Sequence, residues 1–139
     1  MSENTSTEKI IVVEDSPPNR KILAHLLTKL GYEVDSFEDG QKAWDFLNGD
    51  ENKGNIVAVI SDIMMPNMDG VQLLSNVRKS DTFQSLPFVL VTAVSDRDYI
   101  IEAKNLNVNG YILKPVSLKK IQSKLQDLFP QKNFPKVVA

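Results

Sequence analysis

The sequence contains no cysteine, one histidine and one tryptophan among its 139 residues. The absence of cysteine excludes disulfide bonds, thiolate metal sites and cysteine nucleophiles. No apolar run approaches the roughly 20 residues that a membrane-spanning helix requires. The segment from Met1 to Glu8 also lacks the basic and apolar stretches of a secretory signal. We therefore expect a cytoplasmic protein without a membrane partner.

Neither sign of charge dominates the chain. It has 16 basic and 18 acidic residues, which gives a formal net charge of −2 and predicts no general attraction to nucleic acid. A hydrophobic content of 42% in a chain of this length supports one buried core and hardly two. We expect a disordered N-terminal segment at residues 1–8, a single domain at residues 9–128 and a C-terminal tail at residues 129–139.

Short apolar runs alternate along the chain with segments in which apolar residues recur at a helical period. This alternation predicts five βα units and an α/β fold in which helices cover both faces of a parallel sheet. The predicted strands are Lys9 to Val13, Tyr32 to Phe37, Ile56 to Ile60, Phe88 to Thr92 and Tyr111 to Leu113.

The predicted helices follow each strand. The fourth is expected to run from Ser95, as N-cap, to Asn105, and the fifth from about Ser117 to Leu128. His25 is expected to be exposed on the first helix. The buried stripe of that helix is predicted to be Ile22, Leu23, Leu26, Leu27 and Leu30.

Polar side chains follow the predicted strands where each one ends. Glu14 and Asp15 follow the first strand, Asp62 follows the third, and Thr92 and Lys114 end the fourth and fifth. Ligands of open parallel sheets bind outside the carboxyl ends of the strands, so these groups are expected to share one pocket. Three neighbouring carboxylates repel one another unless a cation is present, and oxygen ligands favour magnesium over zinc, with manganese as a substitute.

This ordered set of residues resembles the receiver domain of two-component response regulators, over about Lys9 to Leu128. Each motif alone is weakly specific, but their order and their placement at strand ends are highly specific. The motifs are Glu14-Asp15, Asp62 before Met65-Pro66 and Asp69-Gly70, Thr92-Ala93, Tyr111, and Lys114-Pro115.

The resemblance implies a flavodoxin-like (βα)5 fold, doubly wound, with strand order 2-1-3-4-5. It implies that Asp62 is the phosphoacceptor for a phosphohistidine of a sensor histidine kinase. It further implies that the Met64 backbone carbonyl joins Glu14, Asp15 and Asp62 as a magnesium ligand. Lys114 would pair with Asp62 before the reaction and with a phosphoryl oxygen afterwards.

The resemblance also implies a two-state switch. Thr92 would move toward the phosphoryl group, and Tyr111 would turn into the space that it leaves. The surface made by the fourth helix, fifth strand and fifth helix would then change, with Ile100, Tyr111 and Lys124 as candidate partner contacts. The Lys114-Pro115 bond resembles the cis peptide of the family.

We therefore predict a single-domain response regulator that controls a downstream protein, as in chemotaxis, and that has no enzymatic output beyond assisting its own phosphorylation and dephosphorylation. One alternative is a phosphorelay intermediate that passes the phosphoryl group to a histidine phosphotransfer protein. Another is a non-catalytic receiver scaffold, against which Asp62, Thr92 and Lys114 argue. We expect a monomer, with dimerisation through the output surface as the alternative.

Two enzyme or cofactor classes fit less well. Haloacid-dehalogenase-like phosphatases place a general-acid Asp two residues after the nucleophile, and Met64 occupies that position here. A dinucleotide-binding module needs G-x-G-x-x-G after the first strand, where this chain has Glu14-Asp15-Ser16-Pro17-Pro18.

Met64 and Val94 are apolar where many receivers carry polar residues that influence hydrolysis, which leads us to hypothesise a relatively long-lived phosphoryl state.

Overall fold

The structure is a computed structural model that describes residues 7–49, 54–132 and 134. Most of the N-terminal segment expected to be disordered, residues 1–6, lies outside the described residues, as do residues 133 and 135–139 of the expected tail. Within the described part of the chain, no helix is both long enough and apolar enough to cross a bilayer.

Five parallel strands form one sheet, in the order β2-β1-β3-β4-β5. This order confirms the predicted flavodoxin-like (βα)5 fold. The strands are β1 (Glu8–Val13), β2 (Glu33–Phe37), β3 (Asn55–Asp62), β4 (Phe88–Thr92) and β5 (Gly110–Leu113). The helices are α1 (Pro17–Lys29), α2 (Gly40–Leu47), α3 (Gly70–Lys79), α4 (Arg97–Asn105) and α5 (Leu118–Leu128).

Each face of the sheet has its own hydrophobic layer. Alternate residues of β1 point to opposite faces, so Ile10 joins the layer under α1 and α5, whereas Ile11 joins the layer under α2, α3 and α4. The central strands are therefore apolar at nearly every position, as expected for a sheet buried on both sides.

Two details of the predicted helices are wrong. Ile22 is 49% exposed, because Leu23 and Leu27 define the buried side of α1 and Ile22 lies about 100° around the helix from Leu23. Ser95 is not the N-cap of α4: a 3-10 turn spans Val94–Asp96, and Asp96 occupies the N-cap position. The expected exposure of His25 is confirmed.

Strand register brings the polar strand ends together. Asp62 is paired with Val91, next to Thr92, and Thr92 is paired with Leu113, next to Lys114. On the other side of β3, the strand β1 ends just before Glu14, and the strand order reverses between β1 and β3. The topology thus creates a crevice at the carboxyl ends of β1 and β3, where ligands of such sheets bind.

Candidate functional site

Three carboxylates meet in this crevice. One oxygen atom from each of Glu14, Asp15 and Asp62 lies within 4.8 Å of the others. Glu14 and Asp62 are only 3% and 4% exposed, whereas Asp15 is exposed at the rim. Two buried anions beside an accessible third can hold a hard divalent cation, and all the ligand atoms are oxygen, as magnesium prefers.

Lys114 supplies the positive charge of the pocket. Its Nζ atom lies 2.8 Å from Asp62 Oδ2 and 4.0 Å from Glu14 Oε1. Its backbone N–H donates to the carbonyl of Thr92 at 2.8 Å, and the Lys114–Pro115 peptide bond is cis. Burial disfavours the charged ammonium, but the hydrogen bond and charge of Asp62 outweigh it, so the pKa of Lys114 is raised.

The surroundings of Glu14 shift the pKa of its carboxyl group. Burial raises the pKa of Glu14 to about 7, and the charge of Asp62 adds to the rise. The Ser16 N–H, which donates to Glu14 Oε2 at 3.1 Å, and the nearby Lys114 act in the opposite direction. One ammonium therefore does not fully compensate the carboxylates around it, and a cation would.

Hydrogen bonds orient the Asp62 carboxylate at the end of β3. Its Oδ1 atom accepts a hydrogen bond from the Ile63 N–H at 2.8 Å, which leaves Oδ2 for Lys114. Gly70, the first residue of α3, donates its N–H to the Ile63 carbonyl at 2.8 Å. A Cβ atom at Gly70 would lie 2.2 Å from the Asp62 carbonyl oxygen, so only glycine permits this approach of α3 to the strand end.

Hydrogen bonds from the start of α2 also fix the β3–α3 loop, and we call this set of contacts the brace. Asp39, the buried N-cap of α2, accepts from the Lys42 N–H at 2.8 Å and from Asn67 Nδ2 at 2.9 Å. Gly40 donates its N–H to the Met68 carbonyl at 3.1 Å. Asn67 has a φ of 68°, a left-handed conformation that asparagine tolerates better than most residues. The loop that follows Asp62 is thus tied to a neighbouring helix.

The Thr92 hydroxyl group contacts the turn before α4 in this structure. Its buried Oγ1 atom lies 2.9 Å from the Ala93 carbonyl oxygen and 3.3 Å from Asp96 Oδ2. Asp96 Oδ2 also accepts from the Ala93 N–H at 2.9 Å. The hydroxyl group is therefore engaged with the turn that precedes α4.

The three predicted partner contacts differ in accessibility. Tyr111 is 45% exposed, whereas Ile100 and Lys124 are half-buried, and Ile100 packs against the core layer under α4. Ile101, which the sequence analysis did not select, is 58% exposed on α4. Tyr111 and Lys124 line a surface depression of about 330 Å³ together with Leu113, Lys119 and Lys120.

Sequence reasoning missed three residues around the site: Asp39, Asn67 and Asp96. A signal existed for Asp39, because an aspartate before Gly40 and the helical stripe of α2 is a typical N-cap pattern. No comparable signal identified its second bond to Asn67, which is 28 residues away in the chain. The predicted N-cap at Ser95 would place Asp96 inside the fourth helix, and no sequence pattern indicated the 3-10 turn that brings its carboxylate to Thr92.

The strand order places this chain in the class of doubly wound α/β domains, which bind ligands outside the carboxyl ends of their strands. Within this class, residues 10–126 match the response regulator receiver domain family. The chain belongs to this family.

Its relatives include chemotaxis proteins. The chain is 37% identical over 122 residues to the chemotaxis protein CheY-3 of Vibrio cholerae, covering 87% of this chain and 91% of the relative. It is 36% identical over 126 residues to the chemotaxis protein CheY of Pseudomonas aeruginosa, covering 90% and 98%. The solved structure of the chemotaxis response regulator CheY4 of Vibrio cholerae superposes with a TM-score of 0.77 at 26% identity, covering 88% and 99%.

Proposed function

We propose that this receiver is a phosphorylation switch in which Asp62 accepts a phosphoryl group from a histidine kinase. The observation that carries the proposal is the buried Asp62 carboxylate paired with Lys114 at 2.8 Å and grouped with Glu14 and Asp15. A carboxylate oxygen of Asp62 would attack phosphorus, the P–N bond to the donor histidine would break, and the imidazole nitrogen would keep the electron pair.

The pocket suits Mg²⁺, which would be held by Glu14, Asp15, Asp62 and the Met64 carbonyl, directly or through water. When bound, the ion would neutralise charge on the carboxylates and on the phosphoryl oxygens. The test is whether phosphorylation requires a divalent ion and whether Mn²⁺ substitutes for Mg²⁺.

Lys114 and Thr92 complete the proposed chemistry. Lys114 would exchange its bond to Asp62 for one to a phosphoryl oxygen, so that its charge stabilises the reaction and the product. The Thr92 hydroxyl would donate a hydrogen bond to a second phosphoryl oxygen. Because Thr92 ends the strand that leads into α4, its movement would carry the reaction toward the output surface.

The output surface would be the exposed side of α4, β5 and α5. The exposed side chain of Tyr111 is consistent with an inactive state, from which the ring would turn inward after Thr92 moves. A partner that binds the inward state better would shift the equilibrium toward it. Tyr111, Ile100 and Lys124 remain our proposed contacts, and the exposure of Ile101 adds it to them.

A chemotaxis-type role is the first candidate, because two similar relatives are chemotaxis proteins. The second is a phosphorelay intermediate. Phosphorylation-dependent binding to a motor or kinase complex would favour the first role, whereas transfer from Asp62 to a histidine phosphotransfer protein would favour the second.

Intact mass spectrometry after incubation with acetyl phosphate tests the chemistry. We expect one phosphoryl adduct on the wild type with Mg²⁺, and none on Asp62→Asn or without the ion. Asp69→Asn is the matched control, because Asp69 caps α3 nearby and asparagine caps helices equally well. Labelling of Asp62→Asn, or labelling independent of a divalent ion, would reject the proposal. If acetyl phosphate labels nothing, a phosphorylated histidine kinase replaces it as donor, and no adduct with either donor would favour the scaffold alternative.

The hypothesis of a long-lived phosphoryl state centres on Met64. Its side chain is 50% exposed two residues after Asp62, where an apolar group does not orient an attacking water. Met64→Asn is expected to speed the loss of the adduct several-fold, measured as decay of the phosphorylated mass after removal of acetyl phosphate. An unchanged decay rate would contradict the hypothesis.

A further inference from the structure

The hydroxyl group of Thr92 contacts the carboxylate of Asp96 as well as the Ala93 carbonyl, and this carboxylate would compete with a phosphoryl oxygen for the hydroxyl proton. A threonine hydroxyl has one proton, and the oxygens within reach of it are the Ala93 carbonyl at 2.9 Å and Asp96 Oδ2 at 3.3 Å. An ionised carboxylate can only accept hydrogen bonds, so the Thr92 hydroxyl must be the donor in its contact with Asp96. The single hydroxyl proton is then shared between the Ala93 carbonyl and Asp96 Oδ2. Thr92 and Asp96 are 2% and 8% exposed, so water competes poorly with this bond.

Asp96 links the hydroxyl group to the start of α4. The carboxylate accepts from the Ala93 N–H at 2.9 Å, and the Asp96 N–H donates to the Ala93 carbonyl at 3.0 Å, which closes the 3-10 turn. Asp96 is also the residue immediately before Arg97, where α4 begins. Any loss of the bond from Thr92 therefore changes the surroundings of the first residues of α4.

We propose that Asp96 is a positioning residue that holds the Thr92 hydroxyl against the turn before α4 until phosphorylation, when the hydroxyl exchanges Asp96 for a phosphoryl oxygen. This inference rests on the proposed function and adds to it the group that restrains the switch. No covalent step is involved. The restraint slows phosphorylation, since the hydroxyl must leave an anionic acceptor before it stabilises the transferred group.

A graded series at position 96 tests the restraint. Asparagine retains a neutral acceptor, which binds a hydroxyl proton more weakly than a carboxylate does, and alanine has none. The rate of adduct formation from acetyl phosphate and Mg²⁺ is expected to rise about twofold in Asp96→Asn and about fivefold in Asp96→Ala, the effect of losing one ordinary hydrogen bond. Asp98→Asn and Asp98→Ala are the controls: they remove the same charge from an exposed position in the first turn of α4, and their rates should match the wild type.

A double-mutant cycle separates the restraint from general effects of charge or folding. In Thr92→Val the hydroxyl is gone, so the substitutions at Asp96 should no longer change the rate, whatever the basal rate of that variant. In Thr92→Ser the hydroxyl remains, and the series should persist. If Asp96→Ala does not fold, Asp96→Asn still completes both cycles, because its amide oxygen can accept from the Ala93 N–H.

The outcomes distinguish this inference from the proposed function. A wild type that takes no phosphoryl group from either acetyl phosphate or a histidine kinase overturns both. A wild type that is labelled, with Asp96 variants that react at the wild-type rate, overturns only the restraint. The restraint is also overturned if the Asp96 substitutions raise the rate by the same factor in the Thr92→Val background as in the wild type. Their effect would then not pass through the hydroxyl group.

Discussion

The two ends of the sheet treat buried charge in opposite ways. At the carboxyl end, Glu14, Asp62 and Asp96 are buried around one ammonium group. At the amino end, Arg78 of α3 is half-buried and donates all five of its N–H groups to oxygen atoms at 2.8 to 3.2 Å. The acceptors are the carbonyls of Gln84, Leu86, Leu106 and Asn107 and the side-chain oxygen of Asn109.

This difference separates the proposed site of phosphorylation from a cluster that contributes to stability. The Arg78 cluster has no donor left over, so it joins the end of α3 to the loops before β4 and β5 and has little capacity to bind anything else. The acidic pocket has excess negative charge, which favours a cation and, with that cation bound, a phosphoryl group. We expect substitutions at the two ends to change different measured quantities.

The largest effect is expected from Lys114→Met. The substitution removes the ammonium that pairs with Asp62 and leaves the carboxylates without it. Phosphorylation by acetyl phosphate should slow by a factor of about 100 or more, the usual cost of losing one preorganised charge partner. The adduct rate is the measurement, and Lys119→Met, an exposed lysine of α5, is the control. A loss of less than about tenfold would assign the main electrostatic role to other groups.

The next effect is on stability and concerns the other end. Arg78→Ala removes five hydrogen bonds and should lower the free energy of unfolding by about 3 kcal/mol, measured by urea denaturation. Lys79→Ala changes the exposed neighbour and should cost little. The adduct rate of folded Arg78→Ala should remain within twofold of the wild type. A large fall in that rate would contradict the separation of the two ends.

These two predictions also show what sequence could reveal. Alternating apolar runs were sufficient to predict the five βα units. The polar residues at strand ends were sufficient to predict that Glu14, Asp15, Asp62 and Lys114 lie close together, while their chemical roles and that of Thr92 stay predictions. The Arg78 cluster could not be predicted, because its acceptors are mainly backbone carbonyls that carry no residue identity. The link from Thr92 to Asp96 was missed for a related reason: the 3-10 turn depends on local backbone geometry, not on a periodic pattern.

A smaller effect is expected from pH, through Glu14. Its pKa is raised to about 7 from an ordinary value of 4.5, so between these values the metal-free folded protein binds a proton that the unfolded chain has lost. The contribution of Glu14 to stability is thus fully present below pH 4.5 and is lost as pH rises through 7. Urea denaturation in EDTA should show this fall relative to Glu14→Gln, which cannot titrate.

The affinity for Mg²⁺ should have the opposite pH dependence: it should rise with pH, whereas the contribution of Glu14 to stability falls. Protonated Glu14 is a poor ligand, so affinity for Mg²⁺ should weaken as pH falls from 8 to 6, by up to about tenfold. Isothermal titration calorimetry in buffers of different ionisation enthalpy measures both the affinity and the released proton. An affinity independent of pH in this range would exclude Glu14 as the titrating ligand.

The smallest effect is expected from the brace on the β3–α3 loop. Asn67→Gly removes the bond to Asp39 but permits the positive φ of this position, and it should weaken Mg²⁺ binding about threefold by loosening the loop that carries Met64. Asn107→Gly is the matched control: Asn107 has a φ of 58° and lies at the Arg78 end. Equal affinities in both variants would mean that the brace does not position the site.

We propose that the acidic pocket at the carboxyl end of the sheet accepts a phosphoryl group on Asp62. Locating the modified residue tests this proposal most directly. After incubation with acetyl phosphate, borohydride reduces an acyl phosphate of aspartate to homoserine, which tandem mass spectrometry of peptides identifies by position. We predict homoserine at position 62 and nowhere else, and only in samples that contained Mg²⁺. Homoserine at Asp15, Asp69 or several carboxylates, or its formation without a divalent ion, would contradict the account.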